Sequence, residues 1–324
     1  MSGSSRSVLI TGGTGDLGHY CALAIAKKYP QHRIILSARK DAKHVVEDIN
    51  KANGQSNVEF LALDLSTLAS TRAFARVWAS KNYPPLVALL LNAGVQLPGN
   101  LEYTGDGLEK TFGVNHVAHT LLFHLLTPYL ARGARIIVTA SGTHDPAQRT
   151  GVGSPEYFTA EEMAHPTTKT SENKGMWRYG TSKLTNIMWT YATHRRLTTG
   201  GGKLGDDWTV IAFDPGLMPG TGLARDQPAP IRFMWYHVLP HILPVVRAIY
   251  RNTHSPKESG TSLAWVAMEG RSEQIAGRYL EQKMVAKSSE ASHDVEKQDD
   301  LWSWTVEYIA TDEEEMRKFD SLTC

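Results

Sequence analysis

The 324-residue chain has only two cysteines, Cys21 and Cys324, near its opposite ends, so it has neither a disulfide framework nor a cluster with zinc spacing. Neither charge is in excess. With 34 Lys and Arg against 33 Asp and Glu, the formal net charge is +1, too little for the broad positive field a nucleic-acid backbone demands. No run is long and apolar enough to span a bilayer. The longest stretch without a formal charge, Thr111 to Ala131, holds Asn115, His116, His119, His124 and Pro128, all costly in hydrocarbon, and reads as a buried helix. Phe233 to Val246 is also uncharged, but Pro240 and Pro244 break it, leaving a segment that roofs a pocket or touches a membrane surface peripherally. The first residues lack the apolar core and cleavage site of a secretory signal, and the expectation is a cytoplasmic protein. Repeats and low-complexity tails are missing too. At 41% hydrophobic and 21% charged residues, the composition fits one globular unit over 1–324.

What the sequence does contain is an alternation of short apolar runs with longer segments of helical period. Val8–Thr11, Arg33–Ser37, Glu59–Leu63, Leu86–Leu91, Ala134–Thr139 and Trp208–Phe213 read as strands covered on both faces, with Gly277–Gln282 a weaker seventh. Between them, segments such as Leu184, Ile187, Met188 and Tyr191 place one apolar stripe on a helix. The pattern predicts an α/β fold: a doubly wound parallel sheet, the Rossmann fold, of about seven strands. Two segments break the rhythm, an insertion at 144–178 and an irregular, proline-rich segment at 215–256 after the sixth strand that is expected to bind substrate. Lys287 to Asp300 is polar and reads as a surface loop before an amphipathic helix around Trp302–Tyr308.

The first strand runs into Thr11-Gly12-Gly13-Thr14-Gly15-Asp16-Leu17-Gly18. A glycine turn there lets backbone N–H groups approach a pyrophosphate at a helix N-terminus. Near the end of the second strand, where an acid would bind a ribose 2′-hydroxyl, the chain has Ser37, Arg39 and Lys40. A hydroxyl and two cations predict NADP(H) over NAD(H), although Arg39 and Lys40 also fit a solvated helix start. Asp64 could accept from the adenine amino group, and Asn92-Ala93-Gly94 could turn against the ribose; both are ordinary turn residues as well.

Tyr179 and Lys183 are four apart at the start of a helix, so both project from one face. A tyrosine titrates near pH 10, about three units too high for a ready proton donor and acceptor, and an adjacent ammonium is expected to lower it. Ser141, at the end of the fifth strand, can bond the same substrate oxygen. No H-E-x-x-H occurs, and His116, His119 and His124 lack ligand partners, so no metal is expected. The tryptophans read as core, with Trp235 the exception worth testing because it lies in the irregular segment.

In order, Thr11–Gly18, Asp64, Asn92-Ala93-Gly94, Asn115, Ser141, Tyr179-Gly-Thr-Ser-Lys183 and Pro215-Gly216 resemble the short-chain dehydrogenase/reductase family over Val8 to about Leu280. Phe112-Gly-Val-Asn115-His-Val-Ala-His119, Tyr179 to Asn186 and Pro215 to Leu223 are similar to its retinol dehydrogenase and protochlorophyllide reductase branch, and in character to fungal reductases of secondary metabolism. No cysteine lies between Cys21 and Cys324, which disfavours the photochemical reaction. The resemblance implies Tyr179 as general acid/base, Lys183 lowering its pKa and holding the nicotinamide ribose, Ser141 orienting the carbonyl, Asn115 fixing a relay water, and Thr221 reaching the carboxamide. Asp16 stands where single-domain members have a glycine, a spacing nearer the extended branch. The C-terminal third, however, lacks the organisation of a sugar-nucleotide domain. The expected function is an NADPH-dependent carbonyl reductase or alcohol dehydrogenase acting on a hydrophobic, ring-containing ketone or aldehyde. The alternatives are a non-catalytic NADP(H)-binding regulator and an NAD-retaining epimerase or dehydratase.

Overall fold

The computed structural model describes residues 6–148, 150–199 and 207–322; Cys324 lies outside them. Strands β1 (Ser7–Thr11), β2 (Arg33–Ala38), β3 (Val58–Ala62), β4 (Leu86–Leu91), β5 (Leu130–Thr139), β6 (Thr209–Asp214) and β7 (Tyr279–Glu281) are parallel, and β8 (Met284–Ala286) runs antiparallel to β7. The sheet order is β3-β2-β1-β4-β5-β6-β7-β8, which reverses direction between β1 and β4, where doubly wound folds bind their ligands. Among the described residues the sheet has eight strands where about seven were expected. The eighth completes a hairpin through Gln282, at φ 55°, and Met284 and Val285 on it are exposed, so no apolar run marked it.

Period-two alternation feeds two cores. Val8, Ile10, Ile34 and Leu36 face one side, against Leu17, Cys21 and Ile25 of α1 (Asp16–Lys28), with α2 (Val45–Asn53) beside them. Leu9, Ile35, Leu89 and Leu91 face the other, against Phe74 and Trp78 of α3 (Leu68–Ser80) and the helix that follows β4. That helix is not uniform: α4 (Lys110–Phe112) passes through a π-turn, Gly113–Val117, into α5 (Ala118–Leu126). After Thr127–Tyr129 the chain already enters β5 at Leu130, four residues before the expected start.

The insertion folds against the core rather than looping out, with α6 (Ala160–Ala164) inside it and α7 (Gly175–Thr199) beginning before its expected end. After β6 come α8 (Ala229–Phe233), a second π-turn (Met234–Val238) and α9 (Leu243–Ile249). Then α10 (Pro256–Met268), opened by a Ser255–Glu258 capping box, and α11 (Ser272–Ile275) lead back to β7. The predicted loop at 287–300 is partly helix. Asp294 caps α12 (Val295–Ile309) by accepting from Lys297 N, and α13 (Glu313–Asp320) follows. No helix among the described residues is long and apolar enough to cross a membrane.

Candidate active site

Parallel strands end at one edge of the sheet, and the loops leaving that edge carry nearly all the residues singled out above. Gly12 sits at φ +65°, and a Cβ at Gly18 would lie 2.6 Å from the Gly12 carbonyl oxygen, so neither position admits a side chain without strain. Gly15 precedes α1 and brings no side-chain cap to its first-turn amides, which are thus available to an anion. Gly13 N donates to the Ser37 carbonyl, and Leu17 is buried in the core, so it can offer a ligand only its main chain. Asp16 Oδ2 accepts from Gly222 N at 2.9 Å, clipping the segment after β6 onto the glycine turn.

Ser37 is buried and its hydroxyl has no hydrogen-bond partner, while Arg39 and Lys40 are exposed just beyond β2. Uncapped amides, an unpaired hydroxyl and two cations form a donor set that fits a phosphorylated dinucleotide. Asp64 accepts from Ser66 N at 2.9 Å in an ordinary turn. Asn92 bridges the strand ends: its Nδ2 donates to the Thr11 carbonyl at 2.8 Å and its Oδ1 accepts from Thr139 Oγ1 at 3.2 Å. Asn92 N and Ala93 N both donate to Thr11 Oγ1. A Cβ at Gly94 would lie 3.2 Å from Asn115 Oδ1 and 3.7 Å from Lys183 Nζ, which brings this turn to the catalytic face of α7.

Asn115 occupies the middle of the first π-turn. Its Oδ1 accepts from Val95 N at 2.8 Å, and its Nδ2 donates to the Val95 carbonyl and to Ser182 Oγ, both at 3.0 Å. One turn on, His119 Nδ1 lies 3.2 Å from the Asn115 carbonyl, and its Nε2 lies 3.0 Å from Thr11 Oγ1. A carbonyl only accepts, so the proton sits on Nδ1 and the ring links the glycine turn to the π-turn. His116 and His124 are also buried, and burial lowers all three, to about 3, 4 and 3 for His116, His119 and His124. The described residues contain no group of three potential metal ligands.

Tyr179, Lys183 and Ser141 come together at the centre. Lys183 Nζ donates to the Thr139 carbonyl at 3.0 Å, beside Asn186 Nδ2, and lies 5.5 Å from the centroid of the Tyr179 ring. Ser141 Oγ accepts from Thr143 N and lies close enough to the Tyr179 hydroxyl to favour its ionisation. The expected electrostatics need correction. The phenol is pushed up, not down: burial dominates, the Asp214 carboxylate adds to it, and only Ser141 opposes it. Lys183 is itself lowered by burial to about 8, against the pull of Asp214, and keeps its proton at pH 7. Its ammonium is spent on a carbonyl rather than on the phenol.

Pro215-Gly216 follows β6, and Thr221, buried beyond it, donates its hydroxyl proton to the Met218 carbonyl, leaving its oxygen free to accept. Trp235 Nε1 donates to the Thr221 carbonyl at 2.9 Å and so ties the second π-turn to this loop. Sequence reasoning passed over Asp214, His119 and His144. Asp214 had a visible signal: an acid at the carboxyl end of an apolar strand.

Residues 6–155 match the short chain dehydrogenase family, and residues 223–317 match the AcuH dehydrogenase domain. The human polyprenol dehydrogenase is 26% identical over 315 residues, covering 93% of this chain and 84% of its own. A short chain dehydrogenase/reductase of Colletotrichum higginsianum is 29% identical over 321 residues, covering 93% and 74%. The NADPH-bound carbonyl reductase from chicken fatty liver superposes with a TM-score of 0.59 at 17% identity, over 87% of this chain and 99% of that one. Over residues 6–155 the chain matches the short-chain dehydrogenase family, and the relatives similar to more than nine-tenths of it are dehydrogenases and reductases. It is a nicotinamide-dependent oxidoreductase acting on CH–OH or C=O groups.

Proposed function

We propose that the protein is an NADP(H)-dependent carbonyl reductase and alcohol dehydrogenase for hydrophobic, ring-containing ketones or aldehydes, with Tyr179 as general acid/base. One observation carries the reading: a buried phenol beside Ser141, one helical turn from Lys183, at the sheet edge that also holds the uncapped start of α1. A bound nicotinamide dinucleotide supplies the hydride in reduction and takes it up in oxidation. Ser141 and Tyr179 hold the carbonyl oxygen, and Tyr179 gives it a proton as it becomes an alkoxide. A raised phenol is fully protonated at neutral pH, which suits reduction.

Lys183 holds the ribose, Asn115 positions a water, and Thr221 accepts from the carboxamide. The turn of Gly12, Gly13, Thr14, Gly15, Asp16, Leu17 and Gly18 would hold the pyrophosphate through the amides not already given to the Ser37 and Gly12 carbonyls, with Ser37, Arg39 and Lys40 at the 2′-phosphate. Asp64 would hold the adenine, Asn92, Ala93 and Gly94 the ribose, and Pro215 and Gly216 the nicotinamide. Relatives named polyprenol dehydrogenases support an apolar alcohol or carbonyl, as does the apolar segment around Trp235.

The test is NADPH oxidation by the purified protein with a panel of cyclic and acyclic ketones. Tyr179→Phe is expected to lower kcat by about 10²–10⁴-fold and leave NADPH affinity unchanged; a retained rate overturns the assignment. Arg39→Ala is expected to weaken NADPH by about tenfold or more and spare NADH. Equal losses would remove the preference for the 2′-phosphate. Stoichiometric NADPH binding with no ketone reduced would favour the regulator.

A further inference from the structure

Behind the catalytic pair lies a buried carboxylate that no step above uses. Asp214 ends β6 and is 1% exposed. Its Oδ1 accepts from Gly216 N at 2.8 Å, and its Oδ2 from Tyr279 Oη at 2.7 Å and Asn252 Nδ2 at 3.0 Å. The loop after β5 packs on it as well: a Cβ at Gly142 would lie 3.4 Å from Oδ2. Main-chain and amide N–H groups can only donate, so this is the donor set of an ionised carboxyl and not of a protonated acid. Burial pushes the group up, and Tyr279, Gly216, His144 and Gly142 pull it back.

The three donors come from the turn after β6, the segment before α10 and β7, and the packing contact comes from the loop after β5. Gly142 follows Ser141, and Gly216 belongs to the turn that meets the cofactor, so one carboxylate ties both loops together. His144 braces the same loop. Its Nδ1 lies 2.8 Å from the Ser141 carbonyl, and its Nε2 accepts from Ser289 N at 3.0 Å, which fixes a neutral ring with the proton on Nδ1.

We propose that Asp214 is a positioning residue for the reaction: its carboxylate packs the Ser141-Gly142 loop against the Pro215-Gly216 turn and stands as a fixed negative charge behind the catalytic pair. The inference rests on Tyr179 as the acid/base. Its consequence is that reduction persists to higher pH, while alcohol oxidation is delayed to the same degree, because one phenol governs both. The groups facing Asp214 are His144 from the loop after β5, Tyr179 and Lys183 from α7, Tyr279 and Glu281 from β7, and His254 ahead of α10. Glu281 itself faces Asp145 and Gln148.

The experiment is the pH profile of kcat/KM in both directions for the wild type, Asp214→Asn and Asp214→Ser, with Tyr179→Phe alongside. In both neutral variants the limb that follows the phenol is expected to move to lower pH by about one unit, the scale of a neighbouring charge. A fall in kcat with unmoved limbs, while Tyr179→Phe is inactive, overturns the inference and leaves Asp214 a brace. An active Tyr179→Phe overturns instead the reading on which it rests. Should neither variant fold, ultraviolet difference titration of the wild type against Tyr179→Phe decides. The phenol is expected to stay protonated beyond about pH 10, the ordinary tyrosine value, and ionisation at or below it sinks the proposal.

Discussion

Two five-residue π-turns, Gly113–Val117 and Met234–Val238, sit in opposite surroundings. Every residue of the first is buried, and its centre, Asn115, is bonded on both sides of its amide to Val95 and Ser182. No residue of the second is buried. Trp235 is bonded to the Thr221 carbonyl, while Phe233 just before the turn and Val245 and Ile249 of α9 are 61%, 58% and 71% exposed. Widening a helix by one residue therefore does different work in the two places. In the first it turns a polar side chain into a packed wall and fixes the catalytic floor. In the second it shapes an apolar surface that can adapt to what binds beneath it.

Acidification is the strongest way to test that contrast. The buried turn and α5 carry His116, His119 and His124, all neutral when folded. Their pKa values lie below the unfolded value of about 6.5, so the unfolded chain binds more protons as pH falls, and stability is present above that value and lost below it. The expected slope is up to about 4 kcal/mol per pH unit between about pH 6 and 4 for three histidines together. Thermal melts across that range check it. His124 stacks on Phe319 at 4.6 Å, so His124→Phe fits the space and should reduce the slope by about a third; an unchanged slope contradicts the account.

Asn115→Ala comes next. It strands the amide and carbonyl of Val95 in a half-buried site, with an expected cost of about 2–4 kcal/mol and a loss of about 10²-fold in kcat as the floor shifts. Denaturant melts and turnover measure the two effects, and a variant as stable as the wild type would mean the turn does not depend on its centre. The smallest effect belongs to the other turn. Phe233→Ser with Ile249→Ser should leave the melting midpoint within about 0.5 kcal/mol of the wild type while raising KM for apolar ketones several-fold. A large stability loss would show that this surface is covered in solution, and the contrast between the turns would fail.

Strands β1, β2, β4, β5 and β6 were legible because parallel strands covered on both faces must be largely apolar, whereas β3, at the sheet edge with only Val58 buried, showed as a short β-rich run. Tyr179 and Lys183 could be paired from their spacing on one helix, and Asn92 from its place at the end of β4. The edge strand β8 was not legible, being three residues long and mostly exposed. Nor was the role of Asp214, whose partners Asn252 and Tyr279 are 38 and 65 positions away. The early start of α12 hid in a polar stretch because its signal is a single cap, Asp294.

Local sequence was enough to determine which residues form the sheet, where the glycine turn falls, and which side chains share the face of α7, since these depend on spacing and side-chain chemistry alone. The direction in which Tyr179 titrates was decided only by the fold. A neighbouring ammonium argued for a fall, but burial from all sides, Asp214 behind the phenol and a carbonyl competing for Lys183 reverse it. Solvent exclusion and long-range electrostatics are sums over residues distant in the chain, and they exist only once those residues have been brought together.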